Sequence, residues 1–138
     1  MSQKNKEHQK VKRILLIDDE EDMDWVMNRI LTDDGYEVVT ARTGADGLAK
    51  FLRDPKSAPL VILDVQLPDM NGLELLKQIK KIYSRTKVLV VTAFGTPELR
   101  KLAKKAGALA VFDKPFSVEK VLKAARLAFE VVGGGRDR

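Results

Sequence analysis

The stretch Ile14-Leu15-Leu16-Ile17-Asp18-Asp19-Glu20 decides how this chain is read: four apolar residues run straight into three carboxylates. Three other stretches repeat the pattern. Leu60-Val61-Ile62-Leu63 ends in Asp64, Val88-Leu89-Val90-Val91 ends in Thr92, and Ala108 to Phe112 leads through Asp113 to Lys114-Pro115. Short apolar runs that alternate with helical patterns read as strands buried on both faces of a parallel sheet. In such a sheet, chemistry gathers in the crevice outside the carboxyl ends of the strands. Three carboxylates, a hydroxyl and an ammonium are therefore expected to meet at one sheet edge.

Working outward, a fifth strand is expected over Tyr36 to Ala41, with Glu37 marking an edge position. Met23, Val26, Met27, Ile30 and Leu31 form a helical stripe closed by Gly35 as a C-terminal cap. A second helix covers Ala45 to Leu52 and stops before Pro55. Leu75, Ile79, Ile82 and Tyr83 mark a third. Thr96-Pro97-Glu98 starts a fourth with a capping hydroxyl and a first-turn proline; Leu99, Leu102, Ala103 and Ala106 follow, then Gly107. Ser117 caps a fifth, whose inner face is Val118, Val121, Leu122, Ala125 and Phe129. Five β-α units in strict alternation predict an α/β fold: a single flavodoxin-like (βα)5 doubly wound parallel sheet with strand order 2-1-3-4-5. Asp18, Asp19 and Asp64 would then flank the switch point between the first and third strands.

Composition narrows the function classes. A chain of 138 residues, 44% hydrophobic and 33% charged, fits one soluble globular domain. The absence of cysteine excludes disulfides and thiolate metal sites. The single histidine, His8, lies in a polar leader, which argues against imidazole catalysis. The net charge of +5 sits at the two ends: Met1–Arg13 carries five basic residues against Glu7, and the last six residues carry Arg136 and Arg138 against Asp137. The segment between is neutral, so neither a nucleic-acid-binding face nor a membrane segment is expected, and the cytoplasm is the expected location. Residues 1–10 read as a flexible basic extension, 11–131 as the domain, and 132–138 as a flexible Gly-rich tail or the start of a linker.

Asp18, Asp19 and Asp64 form an all-oxygen cluster whose members repel one another unless a cation neutralises them. Such a set suits Mg2+ (or Mn2+), a hard ion that keeps several waters and favours phosphate oxygens. With Thr92 and Lys114 added, the cluster has the parts that phosphoryl transfer needs, namely positioning and charge neutralisation. A carboxylate can itself act as nucleophile and yield an aspartyl phosphate.

Over about Val11 to Val131 the chain resembles a response-regulator receiver domain of the CheY-like family. The matching segments are Ile14 to Glu20, Leu63-Asp64-Val65-Gln66-Leu67-Pro68-Asp69-Met70-Asn71-Gly72, Val91-Thr92-Ala93, and Gly107-Ala108 through Lys114-Pro115-Phe116. The resemblance implies that Asp64 is the phosphoacceptor, taking its phosphoryl group from a sensor histidine kinase or a histidine phosphotransfer protein. It implies that Asp19 binds Mg2+ directly, Asp18 mainly through a water, and Gln66 through its backbone carbonyl. Thr92 would hydrogen-bond the phosphoryl group and Lys114 would pair with its charge, with Ala93 leaving room and the Lys114-Pro115 bond cis. Phosphorylation and its loss would be self-catalysed, with no separate substrate turned over. The output would be a change in binding to a downstream effector protein, or a homodimer through the fourth helix, fifth strand and fifth helix. One position departs from the family: where an aromatic usually couples to the threonine, this chain has Val111. Phe112 beside it points to the opposite sheet face and cannot take its place.

Two other readings use the same residues. Val111 leaves open a degenerate receiver that acts as an interaction scaffold without phosphorylation. An Mg2+-dependent aspartyl-phosphate phosphatase of the haloacid-dehalogenase type also uses a strand-end Asp, a hydroxyl and a Lys, but it requires Asp-x-Asp where Glu20 stands here. Taken singly, Asp18-Asp19 reads as a helix cap, Asp64 as turn chemistry, and Lys114-Pro115 as a surface turn. Their convergence on one sheet edge favours a site. Arg100, Lys101, Lys104 and Lys105 read as a solvated helix face, as do Lys77, Lys80 and Lys81. Trp25 is expected to be partly exposed, and neither Asp69 nor Asp113 is expected to be a ligand.

Overall fold

The structure is a computed structural model that describes residues 12–135, with side chains as far as residue 130. Five strands form one parallel sheet in the order β2-β1-β3-β4-β5: β1 (Arg13–Ile17), β2 (Glu37–Ala41), β3 (Leu60–Asp64), β4 (Lys87–Thr92) and β5 (Ala110–Asp113). The helices that connect and follow them are α1 (Glu21–Asp33), α2 (Gly44–Arg53), α3 (Gly72–Ile82), α4 (Pro97–Lys105) and α5 (Val118–Gly135). The flavodoxin-like topology expected from the strict alternation is the one found. The expected leader and residues 136–138 of the expected tail lie outside the described residues, while the α5 backbone stays helical through Gly135.

Alternation along each strand splits the core in two. On one face Leu15, Ile17, Val61, Leu63, Val88 and Val90 pack with Phe51, Leu75, Leu76, Ile79 and Ala103 from α2, α3 and α4. On the other, Ile14, Leu16, Leu60, Ile62, Leu89 and Val91 pack with Met27, Leu31, Val121, Ala125 and Ala128 from α1 and α5. All five residues of β3 are buried, which is why that strand reads as an unbroken apolar run closed by Asp64. Burying each large aliphatic side chain contributes about 1.5–3 kcal/mol, so the sheet is a rigid base for whatever its edge carries.

Helix ends follow local chemistry. The Thr43 and Thr96 hydroxyls accept from the amides of Asp46 and Leu99, and Asn71 Oδ1 accepts from Leu73. Gly35 and Gly107 take the left-handed conformations expected of them after α1 and α4. Four apolar residues assigned to inner faces are exposed instead: Val26, Ile82, Leu102 and Val118. In α1 the buried residues are Asp24, Met27 and Leu31, so its inward face is rotated from the expected stripe and brings a carboxylate into the interior. Trp25 points to solvent, as expected.

Candidate functional site

Register brings the site together. Ile17 pairs with Leu63, so Asp18, the next residue after β1, emerges beside Asp64 at the end of β3. Asp64 aligns with Val91 and Thr92 with Asp113, which puts Lys114 one step beyond the same edge. The Lys114 backbone amide donates to the Thr92 carbonyl at 2.8 Å, tying those two segments together. The Lys114-Pro115 bond is cis.

Asp18 and Asp64 are buried, at 3% and 5% exposure, while Asp19 is exposed. One carboxylate oxygen from each of the three lies within 4.8 Å of the others. Asp64 Oδ1 accepts from the Gln66 amide at 3.0 Å, and Asp64 Oδ2 accepts from Lys114 Nζ at 2.9 Å. Asp18 Oδ1 accepts from the Glu20 amide at 2.8 Å, and Lys114 Nζ stands 3.2 Å from Asp18 Oδ2. The same ammonium donates to Glu20 Oε1 at 2.8 Å. A shallow cleft above these groups is lined by Asp19, Glu20, Asp64, Gln66, Ala93 and Lys114, with Leu67 and Pro68.

The electrostatics follow from this crowding. Burial pushes the Asp18 carboxyl above its usual range, against the Glu20 amide and the Lys114 charge, with the Asp64 charge adding to the rise. Burial alone would lower Lys114. Its hydrogen bonds to Glu20 and Asp64 and the charges of Asp18 and Asp64 outweigh that, so the ammonium is held above its ordinary value. An all-oxygen trio with an open side fits a hard divalent cation, and Asp18, Asp19 and Asp64 are the residues that would hold it.

Gly72 fixes the approach of α3 to the end of β3. Its amide donates to the Val65 carbonyl at 2.6 Å, and a Cβ there would overlap the Asp64 carbonyl oxygen and lie 2.7 Å from Val65 Cα. No side chain can be accommodated without moving the Asp64 backbone.

Residues 14–126 match the sequence profile of the response regulator receiver domain. The chain belongs to that family. The receiver is 31% identical to sporulation initiation phosphotransferase F of Bacillus subtilis over 83% of its own length and 90% of the relative's. It is 36% identical to the chemotaxis protein CheY of Treponema pallidum, over 80% and 78% of the two chains. Among solved structures, a CheY-like receiver domain from Methanospirillum hungatei superposes with a TM-score of 0.82 at 31% identity, covering 93% of this chain and 99% of that one.

Within the receiver, the structure brings Asp18, Asp19, Asp64 and Lys114 together and places Gln66 and Ala93 at the cleft. Thr92 is buried at the end of β4, its hydroxyl accepting from the Phe94 amide at 3.1 Å. Val111 packs into the core on the α2–α4 side and Phe112 on the opposite side, as alternation requires. The Asp69 carboxylate accepts from the Gly44 and Ala45 amides and holds the start of α2. Two participants escaped the sequence reading. Glu20 is a direct partner of Lys114, and Asp24 lies 6% exposed with neither carboxylate oxygen hydrogen-bonded among the described residues. Two cations assigned to solvated faces are engaged instead. Lys80 donates to the Ser84 and Thr86 carbonyls at 2.8 Å each, and Arg100 binds three groups described below.

Proposed function

We propose that this receiver accepts a phosphoryl group from a phosphohistidine of a partner protein onto Asp64, in a reaction that requires Mg2+ or Mn2+. The acyl phosphate then changes its affinity for a downstream effector protein. The observation that carries this reading is the convergence on one buried carboxylate of an ammonium at 2.9 Å and two further carboxylates within 4.8 Å. The relatives named for phosphotransfer and chemotaxis support it.

An Asp64 carboxylate oxygen attacks phosphorus as the N–P bond to the donor imidazole breaks. The new O–P bond takes its electron pair from the carboxylate, and the imidazole leaves with the pair from the N–P bond and takes a proton from solvent. A cation held by Asp18, Asp19, Asp64 and the Gln66 carbonyl would neutralise charge on the phosphoryl oxygens. Lys114 supplies a second positive charge on the same group, and the Thr92 hydroxyl a neutral hydrogen bond. Exposed Ala93 leaves the phosphoryl group room. Hydrolysis returns the free carboxylate by attack of water at phosphorus, so the protein is its own substrate and turns over no other.

Intact mass after incubation with acetyl phosphate and Mg2+ tests this directly. One added phosphoryl group is expected in the wild type and none in Asp64→Asn or without divalent cation. A wild-type chain that binds Mg2+ yet gains nothing from either acetyl phosphate or a phosphohistidine donor is a scaffold, and the proposal fails.

A further inference from the structure

Arg100 makes contacts that a solvated helix face does not require. From the first turn of α4 its Nε donates to the Gly95 carbonyl and its Nη1 to the Val111 carbonyl, each at 3.2 Å. Its Nη2 pairs with the Asp113 carboxylate. One planar guanidinium thus bridges the β4–α4 loop and strand β5, and a fork of fixed geometry sets direction as well as distance. Space is left for it: a Cβ on Gly95 would overlap Asp113 Oδ1 and lie 2.9 Å from Arg100 Nη2.

The anchoring points matter because of what adjoins them. Gly95 lies three residues after Thr92, and Asp113 is both the register partner of Thr92 and the residue before Lys114. The Lys114 amide is already bonded to the Thr92 carbonyl. Arg100 therefore ties α4 to the two segments that carry the hydroxyl and the ammonium of the phosphoryl site. Val111, whose half-buried side chain packs against the core, contributes only its carbonyl.

We propose that Arg100 is a positioning residue of the phosphoryl site, holding the Thr92 and Lys114 segments through Gly95, Val111 and Asp113 and passing their displacement to α4. This rests on the phosphoacceptor reading above. The pair with Asp113 is half exposed, so its Coulomb energy is screened. The geometry of the fork is what acts.

The test follows two readouts in one sample under acetyl phosphate and Mg2+: the rate of phosphoryl gain by intact mass, and hydrogen exchange of α4 amides. In the wild type, phosphorylation is expected to change exchange across Pro97–Lys105. Arg100→Ala is expected to slow phosphoryl gain roughly three- to tenfold, because a misplaced group loses rate steeply. Its phosphorylated form should show less than half of the wild-type exchange change. Arg100→Lys, which keeps the charge opposite Asp113 but not the fork, should fall between the two. If Arg100→Ala lowers thermal stability yet keeps both the wild-type rate and the full exchange change, the residue is merely structural and the proposal is overturned. If the wild type gains no phosphoryl group from acetyl phosphate or from a phosphohistidine donor, the mass readout shows that the underlying reading has failed, and this proposal falls with it.

Discussion

Replacing Asp24 with Asn should stabilise the protein, although it removes a native charge. Asp24 sits in the first turn of α1 at 6% exposure, with no hydrogen bond to either oxygen among the described residues. Arg42 Nε is 3.7 Å from Asp24 Oδ2, beyond hydrogen-bonding reach, and Arg42 also faces Glu21 at 3.1 Å. Burial first, then the charge of Asp18, push the carboxyl up to about 6 from 3.8; Arg42 and Lys114 oppose the rise and Asp19 adds to it. Between those two values the folded chain binds more protons than the unfolded one, so stability falls as pH rises through the window. Above it the full penalty applies. A shift of about two units corresponds to ~3 kcal/mol, and water at the cleft lined by Glu21, Trp25 and Arg42 screens that to ~2 kcal/mol. A carboxylate in the first helical turn recovers ~0.5–1 kcal/mol through the helix dipole, which Asn loses.

The net expectation for Asp24→Asn is a gain of ~1 kcal/mol at about pH 7.5, or roughly 3–5 °C in Tm. At about pH 3 the gain should vanish, because Asp24 is protonated there in the folded and the unfolded chain alike. Urea unfolding of both proteins without divalent cation, at the two pH values, measures it. Saturating Mg2+ should shrink the gain by neutralising Asp18 and Asp19. A variant that is less stable at neutral pH, or equally shifted at both pH values, would refute the claim that Asp24 is a buried charge without compensation.

Thr86 is fully buried and its hydroxyl has no partner among the described residues, so Thr86→Val should be neutral or stabilising by up to ~1 kcal/mol in urea unfolding; a clear loss would mean that the hydroxyl is bonded. Gly72→Ala should cost ~2 kcal/mol or more and suppress phosphoryl gain at Asp64, since its Cβ overlaps the Asp64 carbonyl. Unchanged Tm and mass shift would count against the close approach. Lys114→Met leaves Asp18 and Asp64 buried without their counter-charge and should cost ~2–3 kcal/mol in the metal-free protein. Mg2+ should recover most of that loss, and unfolding curves with and without the ion decide it.

The strands and the site were legible because one physical constraint sets both. A parallel strand buried on both faces must be apolar throughout, so the first polar residue after it marks the strand's carboxyl end. Asp18, Asp64 and Thr92 are such residues, and Lys114 follows the last strand. Asp24 was hidden because periodicity gives a helix face only to within a residue or so of rotation. Choosing Val26 over Asp24 is what residue type dictates when the neighbouring Asp18 and Arg42 are not yet in place. Arg100 was hidden for a different reason. Four cations share that helix, and which of them reaches carbonyls at Gly95 and Val111 depends on how closely α4 approaches β5, which no local pattern encodes. Lys80, bound to the carbonyls of Ser84 and Thr86, is the same case in α3.

Charge balance at the sheet edge explains why the proposed reaction should depend strictly on a divalent cation. Among the described residues, Asp18, Asp19, Glu20 and Asp64 face a single ammonium, that of Lys114, which contacts three of them at 2.8–3.2 Å. Transfer to Asp64 turns a singly charged carboxylate into a dianionic acyl phosphate, in a cluster already short of positive charge. Lys114 can follow the new charge only by giving up Glu20 or Asp18, and Asp18 is 3% exposed with no other cation paired to it among the described residues. Abandoning that carboxylate would leave a buried charge unpaired, a loss that opposes phosphoryl acceptance. Asp18 and Asp19, with a divalent cation held between them, would stay neutralised, and the Lys114 ammonium would then be free to follow the new charge. Phosphoryl gain at Asp64 without any divalent ion, at a rate near that with Mg2+, would show that Lys114 resolves the conflict alone.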